Sequence, residues 1–136
     1  MSARTRDERG QSVSVFITVV FAALIMTAGL VIDGGQKIAA ASRAETAAAG
    51  AARAATNAGV TQVLAGGSQG DASLRAARAF LAGQPGVSGS ATVSDGVVTV
   101  TTRASERTLF FSLIGVDSVT STGSARSNAV GPHEDR

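Results

Sequence analysis

The side chains that usually do chemistry are scarce in this chain and poorly placed for it. Its 136 residues include no Cys and a single His. Without Cys there is no thiol nucleophile, no disulfide frame and no Cys-ligated zinc. His133 stands in a polar tail at the very end, so a Ser-His-Asp triad would need that tail folded back across the molecule. The acidic residues are scattered. Asp71, Asp95 and Asp117 occupy places where helix caps and turns favour Asp for local reasons. Gly66, Gly67 and Gly70 lead into Asp71, whereas a phosphate loop would lead into Gly-Lys-Ser/Thr. The aromatic residues are five Phe and do not interleave with basic ones, and a formal net charge of +2 adds no argument for nucleic acid. The expectation is therefore a protein that is not an enzyme, with no cofactor, no metal, no nucleic acid and no small-molecule substrate.

The elements that could position a function of another kind begin with one segment. No charged residue occurs from Gly10 to Ile32, and Val13–Ile32 reads VSVFITVVFAALIMTAGLVI. As a helix, these 20 residues span roughly 30 Å, the thickness of a bilayer's hydrocarbon core. In lipid the backbone must satisfy its own hydrogen bonds, which predicts a single helix. Arg4, Arg6 and Arg9 precede the run, and Asp33 follows it. The positive side favours the cytoplasm, so the N-terminus is expected inside and the remainder outside. Ala39-Ala40-Ala41 offers a signal-peptidase site, but the apolar core is long for a signal and Asp33 and Lys37 intervene. A retained anchor in the cell membrane is the expected form. Asp33 is expected at the outer interface, either solvated or touching a neighbouring subunit.

The rest of the chain is rich in small residues, with 26 Ala and 16 Gly overall. Residues 36–58 (QKIAAASRAETAAAGAARAATNA) are strongly helix-forming apart from Gly50, and predict a stalk that forms one continuous or slightly kinked helix with the membrane run. Its Ala face buries little area alone and needs a partner surface. Residues 59–70, with four Gly, predict a loop, and Asp71 predicts the N-cap of a helix over 72–83. Leu74, Ala77, Phe80 and Leu81 share one face of it, Arg75 and Arg78 face away, and Gly83 with Pro85 ends it. Residues 90–94 and 97–103 flank Asp95-Gly96, a favoured two-residue hairpin turn. Segment 107–114 (RTLFFSLI) predicts a short amphipathic element, with Leu109, Leu113 and Phe110 or Phe111 capping the core. A last strand is expected over 117–129.

These elements make an α+β chain: a transmembrane helix continuing into an Ala-rich stalk, packed with a three-stranded antiparallel sheet and a second helix. The expected divisions are 1–10 as a cytoplasmic basic N-terminus, 11–33 as the transmembrane helix and 34–58 as the stalk. Residues 59–130 form a small extracytoplasmic domain, and 131–136 a disordered tail. Transmembrane Ala22, Ala23, Ala28 and Gly29 permit close helix contact.

The stretch RDERGQSVSVFITVVFAALIMTAGLVIDGGQKIAAASRAETAAAGAARAA resembles the N-terminus of TadE/TadG-like proteins. These are minor pilin-like components of the Tad (Flp pilus) machinery, a relative of type IV pilus and type II secretion systems. The features that carry the resemblance are Arg9-Gly10, Phe16, the membrane-exit motif Gly29-Leu30-Val31-Ile32-Asp33-Gly34-Gly35, and the Arg-punctuated Ala helix after it. A weaker likeness continues through TLFFSLIGV and Gly123-Ser124-Ala125. The resemblance implies association without turnover, with other Tad pilus or secretion subunits of the cell envelope as partners through the transmembrane and stalk helices. It also implies a candidate prepilin-peptidase cut between Gly10 and Gln11, with Phe16 as the matching aromatic. Val15 stands where processed members carry Glu, so the permanently anchored TadG-like form is the favoured version. The alternative reading is an unrelated single-pass anchored extracytoplasmic binding module.

Overall fold

The computed structural model describes residues 8–128, with side chains from Ser12 onward. The expected tail 131–136, His133 and most of the basic N-terminus lie outside the described residues. Helix α1 runs unbroken over Glu8–Leu64, 57 residues or about 86 Å. It passes through Gly34 and Gly35 without a kink-forming proline or a break. A turn leads to α2 (Gln69–Ala82), followed by β1 (Val87–Ser94), β2 (Val97–Arg107), a 3-10 turn (Phe111–Ile114) and β3 (Ser118–Asn128). The strands form one antiparallel sheet in the order β1-β2-β3. The α+β architecture and the fusion of apolar run and stalk in one helix are those expected from the sequence.

Several boundaries differ from expectation: β1 begins at Val87 and not at residue 90, β2 runs on to Arg107 and not to residue 103, and the junction of α1 and α2 is shifted. The segment 59–64 is the last part of α1, with Gly59 buried and the Thr61 hydroxyl donating to the Asn57 carbonyl at 2.9 Å. The chain then turns at Gly66, φ +75°, while the Gln62 carbonyl accepts from the Ala65 and Gly67 N–H groups. Ser68 is the N-cap position of α2, so Asp71 lies inside its first turn, where a carboxylate favours the helix dipole. Gly83 closes α2 as expected, in a right-handed conformation.

The hairpin follows its sequence closely. Asp95 and Gly96 both have positive φ, 50° and 72°, as a type I′ turn requires. Ser94 pairs with Val97, so two residues form the loop. Alternation then puts Val98, Val100, Thr102 and Ala104 on the inner face, all buried. On β3, Val119, Ser121, Gly123, Ala125 and Ser127 share that inner face.

The inner face lies on α1. Ala40, Ala44, Ala47, Ala48, Ala51, Ala52 and Ala55 are buried and recur at helical spacing along one stripe. Ser121 reaches the Lys37 carbonyl, and Ser127 the Ala52 carbonyl. Six strand residues cover ~20 Å and fifteen helix residues ~22 Å, so β3 runs nearly along the helix axis, away from the apolar run. The hydroxyl of Thr102 donates to the Ala44 carbonyl at 2.6 Å, and that of Ser73 on α2 to the Ala55 carbonyl at 2.8 Å. Ala77 and Leu81 of α2 complete the core with the Ala stripe, Ala91, Val98 and Val100. Phe80 lies over Gly50, which explains why a glycine interrupts an otherwise strong helix former. Arg43 and Glu106 form an ion pair across helix and sheet. Arg43 is half exposed, so the pair contributes at most about 1 kcal/mol.

Gly123 measures how close the layers are. A Cβ there would stand 2.5 Å from the Ala44 carbonyl carbon and the Glu45 nitrogen, which are helix backbone. Gly123→Val is therefore expected to destabilise the domain by ~1–3 kcal/mol or more, because neither backbone can yield locally. Gly34→Ala meets nothing within 4 Å and should stabilise by about 0.5–1 kcal/mol. Chemical unfolding of the full chain in detergent micelles, followed by circular dichroism, measures both. Equal midpoints for Gly123→Val and the parent would contradict the close contact.

Candidate functional site

The strongest local feature is a clamp between α1 and the connection from β2 to β3. Asp33 directly follows the apolar run, yet its side chain is fully buried. The Leu109 N–H donates to Oδ1 at 2.8 Å. The Phe110 and Phe111 N–H groups donate to Oδ2 at 3.0 and 2.6 Å. One carboxylate thus satisfies three successive backbone donors at the start of the 3-10 turn, the place where such donors lack partners within the chain's own helix. This corrects the sequence reading: Asp33 is neither a solvated boundary residue nor free to bond a neighbouring subunit. It holds its own chain, 76 to 78 residues away.

The remainder of the connection is closed on itself. Thr108 N–H donates to the Asp117 carbonyl, and its hydroxyl to the Val116 carbonyl. The N–H groups of Leu113, Gly115 and Val116 find the carbonyls of Phe110, Ser112 and Phe111. Gly115 takes φ +87° to end the turn, a conformation that glycine adopts at no steric cost. The Phe110 ring packs on Gly29, one helical turn before Asp33, where a Cβ would meet ring carbons at 2.6 Å. The motif residues Gly29 and Asp33 are therefore one contact surface. Gly34 and Gly35 face open space and take no part in it.

The side chains at the tip do not do what the sequence suggested. Leu109, Leu113 and Ile114 are 59%, 82% and 77% exposed and cap no core. Phe110 and Phe111 turn instead toward α1. With Leu113, Ile114, Ala22, Ile25, Met26 and Leu30 they line an apolar groove of about 620 Å³. The physical reason is that Asp33 draws the start of the turn to the helix, while the sheet's inner face is already filled by the Ala stripe.

The residues of the candidate peptidase site fall at the other end of α1. Gly10 and Gln11 lie in its first turns, and Phe16 is exposed on its surface. The structure does not bring them near the clamp. Among the described residues no group of three or more Asp, Glu, His or Cys is arranged to hold a metal ion. The sheet's outer face carries Ser88, Ser90, Thr99, Thr101, Arg103 and Thr122, without an acidic member among them. Comparison with known proteins gives no match: no family model, no curated protein and no solved structure is similar to this chain.

Asp33→Ala is expected to release the Leu109, Phe110 and Phe111 amides, raising their hydrogen exchange by roughly tenfold or more, since each loses a charged acceptor. The amides of Val98 and Val100 should keep their protection. Unchanged exchange at 109–111 would show that the carboxylate is not their partner in solution.

Proposed function

We infer that the chain is a membrane-anchored, pilin-like structural or assembly component of a Tad (Flp) pilus or related secretion system. The observation that carries this reading is the unbroken helix α1. Its first half is long and apolar enough to cross a membrane, with only 6% of the most apolar window buried within the chain. Its second half bears the sheet on a stripe of alanines. A soluble core helix would be covered on that first half, and this one is largely exposed apart from Gly29 beneath Phe110. Exposed Val19, Leu24 and Val31 leave its surface open to lipid or to helices of other subunits. The resemblance of the N-terminal fifty residues to TadE/TadG-like proteins supplies the particular machinery.

In this reading the N-terminus is cytoplasmic, the sheet lies outside, and the protein acts by association and not by turnover. Retention of the apolar run is supported by Asp33: removal of residues before Ser42 would take away the acceptor for three amides of the folded domain. The absence of Glu at Val15 supports an unprocessed anchor. A second reading, an anchored binding module, draws on the hydroxyl- and Arg-rich outer face of the sheet.

Two measurements on cells that natively carry the chain test the proposal. Intact mass from the native membrane should give a start at Met1 or Ser2, and a start at Gln11 would replace the anchor with a processed pilin. Deletion of the chain should abolish surface filaments or secretion, and the full chain should restore them. Normal filaments and secretion after deletion would favour the binding module.

A further inference from the structure

We propose that the connection between β2 and β3 is a second membrane-embedded element, with its tip in the acyl-chain layer beside α1 and an acyl chain of the bilayer in the groove between them. The inference rests on the reading of α1 as a membrane anchor.

Position forces the first half of the argument. The tip stands beside Ala22, Ile25, Met26 and Leu30, which lie within the apolar run and not beyond it. From Leu30 back to Ala22 the helix axis falls ~12 Å, comparable to the ~5–10 Å by which interfacial segments enter a bilayer. Any lipid that surrounds α1 at that depth must also meet Leu113 and Ile114.

Chemistry makes that position tolerable. Irregular backbone enters hydrocarbon only when its polar groups are satisfied. Here Asp33 takes the donors of Leu109, Phe110 and Phe111, and the loop's own carbonyls take those of Leu113, Gly115 and Val116. The Ser112 hydroxyl donates to the Leu109 carbonyl at 2.7 Å. No charged side chain occurs from Thr108 to Val116, while Arg107 and Asp117 flank the segment. On α1 the charge-free run likewise ends at Asp33. Two separate stretches of chain thus lose their charges at one level, as a single lipid boundary would require.

The groove identifies the occupant. Its eight lining residues are all apolar, and its 620 Å³ is open along the side of α1. Exposed Leu113 and Ile114 lie at its edge. Water would leave this surface unpaid for, whereas an acyl chain matches it in polarity and reaches it without leaving the bilayer.

The chain contains no Trp, so a single introduced Trp is a unique probe. Leu113→Trp, Phe21→Trp and Thr101→Trp are made separately in the full chain and reconstituted into phosphatidylcholine vesicles. Some of the vesicles carry bromine midway along the acyl chains. Leu113 is mostly exposed, so the larger ring displaces no core. Expected is blue-shifted emission at positions 113 and 21, with most of it lost in brominated lipid and little lost to aqueous acrylamide. Position 101, on the outer face of the sheet, should show the reverse. If position 21 is quenched by brominated lipid and position 113 only by acrylamide, the tip stands in water: the inference fails and the anchor stands. If position 113 is shielded from both quenchers, protein such as a second copy fills the groove, and the inference fails again. If position 21 escapes brominated lipid, the anchor reading itself is overturned and the inference with it.

Discussion

From Ala40 to Gly59 the buried stripe of α1 carries nothing larger than a methyl group, and the spacing of the layers follows from that fact. Large side chains hold helix and sheet at a distance and fill the gap. Here the gap is removed instead. Gly123 lies against the backbone of Ala44 and Glu45, and hydroxyls of Thr102, Ser121, Ser127 and Ser73 reach carbonyls that longer side chains would have covered. Those carbonyls already accept within the helix, so each hydroxyl adds a shared bond without asking the helix to give one up. The low aromatic content and the abundance of Ser and Thr are then one design. The core is thin in apolar volume, and specific polar contacts to the helix backbone set its register.

The same logic explains what could be read from the sequence. Residues whose partners are local were legible. Asp95-Gly96 needs only its own backbone to make a type I′ turn, and the alternation of Val98, Val100 and Thr102 states the buried face directly. The continuity of α1 through Gly34 and Gly35 was also legible, since Ala-rich sequence resumes at once on the far side. Segment 59–64 was not. Its Gly and Thr have weak helical propensity, and tertiary contact with Gly59 buried overrides it. The N-cap lies at Ser68 and not at Asp71 for a related reason: both residue types favour that position, and only the path of the preceding turn chooses between them.

The tip of the β2–β3 connection departs furthest from the sequence expectation, and its local sequence does not foretell where it packs. Its apolar residues at helical spacing look like a lid for the core. The decisive partner, Asp33, lies in another element, and a lone Asp after an apolar run reads most simply as the edge of the membrane. A charge in that place had a different reason to exist. Three consecutive amides at the start of a turn require acceptors, and a helix bringing one carboxylate supplies all of them.

The ion pair of Arg43 and Glu106, the hydroxyl contacts and the Asp33 clamp fasten the domain to α1 from Asp33 to Ala55, and α1 has no joint between its two halves. The molecule is therefore a rod with a plate riveted to one side. If α1 crosses a bilayer as proposed, a lean imposed on its apolar half by a thinner membrane cannot be absorbed by bending at a linker. The whole plate must swing through the same angle, and its outer face, with Thr101, Arg103 and Thr122, is re-aimed with it. In that proposed setting, membrane thickness is a mechanical input, and the direction in which that face looks is its output.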